Sequence, residues 1–223
     1  MLIKIADLLS AGDLETARDL CKAVRWHDGA ETAGKTARQV KRNEQADLTS
    51  QMGVKLRDLL LNAISTNDVL RAAAQPKRLS KLIVSKTENG GGYGLHVDNA
   101  FMPLGDSLMR TDLSFTLFLS PPESYDGGEL IIEHAGQTLG VKPDAGDLIL
   151  YPSTSLHEVR TVTAGTRLVC VGWIESRVPR ADDREVLFDL INLKTELSCD
   201  HDPQSPAMLT LSKAIANLKR RFS

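Results

Sequence analysis

The sequence predicts an α+β protein in which a double-stranded β-helix, or jelly roll, is flanked by N-terminal and C-terminal helices. Three observations predict it. Before Leu79, apolar residues recur at helical spacing. From Leu79 onward the period shortens, and short β-prone segments alternate with Gly- and Pro-containing turns, the pattern of a sandwich or jelly roll. From Pro179 the helical period returns. The expected division is a helical layer over residues 1–76, a jelly-roll domain over 77–177 and a helical extension over 178–223.

Each element has its own signal. Leu2 to Ile5 suits a short strand. Ser10-Ala11-Gly12-Asp13 opens a helix to about Val24, with Leu14, Ala17, Leu20, Cys21 and Val24 on one face. Trp26-His27-Asp28-Gly29 ends it. Residues 29–46 are polar and carry Lys35, Arg38, Lys41 and Arg42, which suit a solvated surface or a flap beside a pocket. A second helix spans about Ser50 to Asn62, with Val54, Leu56, Leu59, Leu60 and Ala63 inward, and a shorter one runs from Asn67 to Ala74. Pro76 closes the helical layer. Strands follow at Leu82–Ser85, Tyr93–Asp98, Leu113–Leu119, Glu129–Glu133, Gln137–Val141 and Asp147–Tyr151. Leu113–Leu119 alternates cleanly, which predicts one buried face. His157–Val162 and Arg167–Ile174 are expected to form a final hairpin, and helices at 182–195 and 206–221 end the chain.

Composition narrows the class. A chain of 223 residues with 42% hydrophobic content can bury a full core. A net charge of -2 argues against a nucleic-acid partner held electrostatically. The three cysteines, Cys21, Cys170 and Cys199, form no Cys-x-x-Cys pair and read as reduced thiols. The opening apolar run is broken by Lys4 and Asp7, unlike a signal peptide, and no later run approaches a membrane span. A cytoplasmic protein with no membrane partner is expected.

The residues that carry chemistry are His96, Asp98, His157 and Arg167. In a strand, residues i and i+2 share a face, so His96 and Asp98 can reach one metal from one side. His157 supplies a third ligand from a distant strand. Two imidazoles and one carboxylate leave metal positions open, the arrangement of non-haem Fe(II) oxygenases. Taken singly, these residues suit a turn, a hydrogen-bonded strand histidine and a strand-edge charge. Their combination, ordered along a β-rich region, favours a metal site. In the final hairpin, a three-residue loop Thr163-Ala164-Gly165 would pair Thr161 with Arg167 and put Arg167 on the face of His157. That loop requires Gly165 at positive φ. Tyr151 and Thr116 suit either pocket lining or core, Phe115, Leu117 and Leu119 suit core, and Tyr93 is expected to face the substrate. Asn99 suits a turn or a support for Asp98. His27, His134 and His201 lack ligand spacing.

The runs His96-Val97-Asp98-Asn99, Asp126-Gly127-Gly128-Glu129-Leu130, Gly146-Asp147-Leu148-Ile149-Leu150-Tyr151-Pro152, His157-Glu158-Val159, Gly165-x-Arg167 and Gly172-Trp173 resemble Fe(II)/2-oxoglutarate dioxygenases of prolyl-4-hydroxylase type. The nearest resemblance is to the bacterial PKHD-type hydroxylases, a family associated with iron uptake. Trp26-x-Asp28-Gly29, Ala33-Gly34 and Val40-Lys41-x-Asn43-x-Gln45 resemble that family's N-terminal segment. Trp173-Ile174-Glu175-Ser176 and Arg184-Glu185-x-Leu187-Phe188-Asp189-Leu190 resemble its C-terminal helix. One run departs: the family's Asn-Arg-Tyr-like stretch before the Gly-rich loop is here Val84-Ser85-Lys86-Thr87. The resemblance implies Fe(II) on His96, Asp98 and His157, and 2-oxoglutarate anchored at Arg167. It also implies O2 as co-reactant, L-ascorbate as reductant, and hydroxylation coupled to decarboxylation to succinate.

Two alternatives stay open on the residues alone. One is a cupin-like metal enzyme that does not use 2-oxoglutarate; the other is a non-catalytic iron-sensing or ligand-binding module. The substrate is not legible: a peptidyl proline, a free amino acid and a siderophore-like small molecule all suit the pattern. The apolar stripes of the last two helices suit packing on the sheet or a homodimer contact.

Overall fold

The computed structural model describes residues 1–29 and 41–222. The chain opens with β1 (Ile3–Ile5), α1 (Ala11–Ala23), β2 (Trp26–Asp28), β3 (Lys41–Arg42) and β4 (Glu44–Ala46). Two helices follow, α2 (Gln51–Thr66) and α3 (Asp68–Ala74). Then come β5 (Pro76–Leu79), β6 (Ile83–Thr87), β7 (Gly92–His96), β8 (Phe101–Leu104), β9 (Ser107–Arg110) and β10 (Leu113–Phe118). A 3-10 turn at Pro122–Ser124 precedes β11 (Tyr125–Gly127), β12 (Leu130–His134), β13 (Gln137–Val141) and β14 (Leu148–Pro152). The last strands are β15 (His157–Val159), β16 (Val162–Gly165) and β17 (Arg167–Ser176), followed by α4 (Ala181–Leu197) and α5 (Pro206–Phe222). Most of the polar stretch 29–46 lies outside the described residues; its last part forms β3 and β4.

The helices begin where short polar side chains can satisfy free N–H groups. Ser10 accepts from the Asp13 N–H, Ser50 from Gly53 and Asn67 from Leu70. Each such cap contributes about 1 kcal/mol. α3 ends at Gln75, in the left-handed region at φ 43°, and Pro76 then turns the chain into β5.

Two sheets form the jelly roll. The larger has eight strands in the order β1-β14-β10-β17-β6-β4-β2, with β5 also beside β17. The smaller has five, in the order β13-β12-β15-β7-β3. The N-terminal segment therefore adds β1, β2 and β4 to the large sheet besides its helices. Across that sheet side chains alternate between two environments. Leu113, Phe115, Leu117, Leu148, Leu150, Cys170 and Ile174 pack with Ala17, Cys21, Leu56, Leu60, Ile64 and Leu70 of the helices. Phe118, Ile149, Tyr151 and Val169 point the other way, to meet Leu130 and Ile132 of the small sheet.

β10 therefore has two buried faces, not the one its alternation suggests. It lies between β14 and β17, helices cover its apolar face, and the small sheet covers its polar one. Ser114 and Thr116 are polar because they face the space between the sheets, not because they face water.

The final hairpin does not form. β15 pairs with β12 and β7 in the small sheet, whereas β17 pairs with β10, β6 and β5 in the large one. Between them β16 turns aside to pair with β11, placing Tyr125 opposite Gly165. Gly165 does take a positive φ, 72°, but the cause is a close crossing: a Cβ there would stand 2.1 Å from the Ser124 carbonyl oxygen. Arg167 is paired with Thr87 rather than Thr161. The helical stripes of α4 and α5 pack on each other through Leu187 and Ile215, and α4 also contacts α3.

Candidate active site

The small sheet brings two histidines side by side. His96 ends β7 and His157 opens β15, and the two are register partners. Their ring centroids lie 4.2 Å apart. His96 Nδ1 lies 2.8 Å from the Gly94 carbonyl oxygen, and His157 Nδ1 lies 3.0 Å from that of Ser155. A carbonyl only accepts, so each Nδ1 carries a proton in these contacts.

Asp98 completes the cluster from beyond the strand. β7 stops at His96, so shared strand-face geometry does not place the carboxylate as the His-x-Asp spacing suggested. Asp98 Oδ2 lies 3.8 Å from His157 Nε2, and both side chains are buried. One ligand atom from each of His96, Asp98 and His157 lies within 4.8 Å of the others. Among the described residues no other such cluster of His, Cys, Asp and Glu is present; His27, His134 and His201 stand apart.

Aromatic rings wall the cluster. Tyr93 stacks on His96 at 3.7 Å, and Tyr151 meets the His157 ring edge-on at 5.2 Å. Burial, aided by the charge of Asp98, pushes the Tyr93 hydroxyl up to about 12. Burial also raises Tyr151, against the opposing effect of a hydrogen bond with Thr116. Both phenols are thus held neutral. Tyr151 and Thr116 face inward, while Phe115, Leu117 and Leu119 belong to the helix-side core.

Arg167, at the start of β17, points into the same inter-sheet space and is 2% exposed. Its Nε donates to the Gly128 carbonyl oxygen at 2.8 Å, and its guanidinium lies over the Phe118 ring. Its Nη2 is buried and has no hydrogen-bond partner among the described residues. The Tyr125 hydroxyl stands beside it and is also buried. Burial lowers the Arg167 pKa, a pull that nearby Tyr125, Tyr151 and Glu129 oppose. The loop that allows this is Gly127-Gly128, at φ 71° and 68°. A Cβ on Gly128 would stand 2.9 Å from Arg167 Cδ and 3.0 Å from Tyr125 Cε2.

Sequence reasoning missed Ser114, Ser153 and Tyr125. Ser114 Oγ donates to Asp98 Oδ2 at 2.6 Å and lies 2.7 Å from Ser153 Oγ. Asn99, the neighbour that offered itself in sequence, is exposed. A signal for Ser114 existed: a polar position within a central strand has no water to face. The departing Ser85 and Thr87 are buried beside Val169 and Arg167, so they belong to this inner wall.

A His-Asp-His cluster opposite a buried arginine, inside a jelly roll, defines an oxygenase class of metal enzyme. The model of the 2OG-Fe(II) oxygenase superfamily matches residues 82–175. Within that superfamily the chain belongs to the PKHD-type hydroxylases: it is 49% identical to the PKHD-type hydroxylase of Hyphomonas neptunium over 222 residues, covering 100% of this chain and 99% of that one. Solved structures share the fold. A prolyl-4-hydroxylase from Pseudomonas putida superposes with a TM-score of 0.52 at 23% identity, covering 78% of this chain and 92% of that one. The α-ketoglutarate-dependent carbocyclase SnoK from nogalamycin biosynthesis gives 0.59 at 17% identity, covering 79% and 80%. The protein is an Fe(II)- and 2-oxoglutarate-dependent hydroxylase that uses O2 and a second substrate.

Proposed function

We propose that His96, Asp98 and His157 hold the Fe(II) and that Arg167 anchors 2-oxoglutarate by its distal carboxylate. The observation that carries this reading is the state of Arg167. A buried guanidinium costs several kcal/mol unless an anion compensates it. Among the described residues no carboxylate lies within ion-pair distance of Arg167, and Nη2 has no acceptor. An incoming carboxylate supplies both the charge and the acceptor, and a planar guanidinium suits its two oxygens. The donor set fits the metal as well: two imidazoles and one carboxylate, with no thiolate, suit Fe(II) and leave coordination positions for other ligands.

Fe(II) at this site supplies the oxygen chemistry that couples decarboxylation of 2-oxoglutarate to hydroxylation. The chain's own part is positional. The Gly94 and Ser155 carbonyls fix both imidazole tautomers. Phe118, Ile149, Tyr151 and Val169 keep water from the inter-sheet space. The Tyr125 hydroxyl, next to Arg167, offers the same carboxylate a second donor.

Residues 77–177 form the catalytic core in this reading, with 178–223 as a helical layer and 1–76 adding both helices and the strands β1–β4 to its sheets; the superfamily match over 82–175 supports the bounds of that core. A cytoplasmic enzyme of iron uptake, with ascorbate as reductant, fits the family resemblance, the free cysteines and the lack, among the described residues, of a helix able to cross a membrane. The test is succinate formation from 2-oxoglutarate with Fe(II) and O2. Asp98→Ala should abolish it, and Arg167→Ala should raise the KM for 2-oxoglutarate by about 10- to 100-fold, the loss of a charged hydrogen-bonded pair. An unchanged KM in Arg167→Ala removes the anchor assignment. Screening peptidyl prolines, amino acids and siderophore-like molecules by oxygen consumption then identifies the substrate class.

A further inference from the structure

Asp98 poses a positional problem that its neighbours in sequence do not solve. It lies beyond the end of β7, so no ladder fixes it, while His96 and His157 are register partners with anchored Nδ1 atoms. Its carboxylate is instead held from the opposite sheet. Ser114 of β10 donates to Asp98 Oδ2 at 2.6 Å. A serine hydroxyl has one proton. With that proton given to Asp98, the 2.7 Å contact between Ser114 Oγ and Ser153 Oγ must have Ser153 as its donor. Both serines are at most 3% exposed, so water does not compete for either hydroxyl.

We infer that Ser153 and Ser114 act in series as positioning residues for the metal-binding carboxylate of Asp98. Ser153 orients the Ser114 hydroxyl, and Ser114 orients Asp98. The turn that carries Ser153 is itself fastened: the Ser153 N–H donates to the Asp112 carbonyl at 3.2 Å, and the Ser155 N–H to that of Pro152 at 3.0 Å. The Ser155 carbonyl in turn receives the His157 Nδ1–H. One short turn after β14 thus sets two of the three metal-facing groups, His157 through a carbonyl and Asp98 through two hydroxyls. A hydroxyl donor also keeps the carboxylate from rotating, and such orientation by partners of metal ligands raises affinity.

The inference rests on the reading of Asp98 as a metal ligand. The experiment is anaerobic titration of the metal-free protein with Fe(II) or Co(II), with thermal melting of the same samples. Ser114→Ala should weaken metal binding about 10- to 100-fold. Ser153→Ala should weaken it less, because the Ser114 proton still reaches Asp98 but is no longer steered. The double variant should bind no more weakly than Ser114→Ala alone, since Ser153 acts only through Ser114. Ser114→Thr, which keeps the hydroxyl, should recover most of the affinity. A purely structural role would lower the melting temperature and leave metal affinity unchanged, and that result overturns the inference, as does additivity of the two single losses. Should Ser114→Ala fail to fold, Ser153→Ala decides alone: wild-type affinity there overturns it. Asp98→Ala separates the two levels, since wild-type affinity in that variant removes the ligand assignment and the relay with it.

Discussion

Gly128 shows how much of the site depends on a missing side chain. Its φ of 68° is the left-handed region, where an L-residue costs about 1–2 kcal/mol. Its position between Arg167 and Tyr125 adds a steric demand, with Arg167 Cδ only 2.9 Å from where a Cβ would sit. Gly128→Ala should therefore lose stability and 2-oxoglutarate affinity together. Gly105→Ala is the control: its φ is 59°, but nothing lies within 4 Å of its Cβ position. It should lose only the backbone share of that stability in a thermal melt and keep 2-oxoglutarate affinity by calorimetry. Glu175 carries a different residue-scale signature. Burial works against its carboxylate, but Arg78 and Lys77 outweigh that effect by hydrogen bonding and charge, and hold its pKa below the ordinary 4.5. A lowered acid stabilises the fold above its unfolded pKa and loses that contribution as pH falls through the folded value. Melting temperature should thus fall with acidification below about 4.5, and Glu175→Gln should be less stable at neutral pH with a flatter acid limb.

At the scale of elements, helix α2 gives the clearest reversal of an intrinsic preference. Alanine in place of a helix glycine normally stabilises by about 1 kcal/mol. Gly53 lies in the first turn of α2, where a Cβ would stand 1.9 Å from the Asp47 carbonyl oxygen. Gly53→Ala should therefore lower the melting temperature despite the better helix former, because the chain entering α2 crosses against that position. Strand β10 makes the complementary point. Its apolar residues were legible as core and Thr116 as either pocket lining or core, but alternation alone cannot say whether the second face meets water or another sheet. The failed hairpin has the same origin. The sequence showed a turn at Gly165 and a positive φ there; it did not show that β16 leaves the small sheet to join β11.

Across the whole molecule, the helices and the site lie on opposite faces of the large sheet. Leu56, Leu60 and Ile64 pack against its outer face, while the His-Asp-His cluster faces its inner one. Leu60→Ala should cost about 2–5 kcal/mol of stability and leave metal affinity unchanged, as measured by melting and by titration. Metal should in turn stabilise the fold by mass action, by about 2.7 kcal/mol at a hundredfold excess over Kd. That shift should vanish in Asp98→Ala, since the cluster joins both sheets through Ser114.

The residues by themselves determined the order of helix, strand and helix, the two buried helix faces, and the identity of His96, Asp98, His157 and Arg167 as the groups to watch. Those are local or compositional facts: a period of 3.6 or of two, a cap, a choice of donor atoms. Only the tertiary structure decided what sits opposite what. It put Arg167 and His157 in different sheets, faced Ser114 toward Asp98 and left the buried Arg167 guanidinium with no salt-bridge partner among the described residues. Such pairings join residues far apart in the chain, and no local period encodes which two distant strands will face each other across the interior.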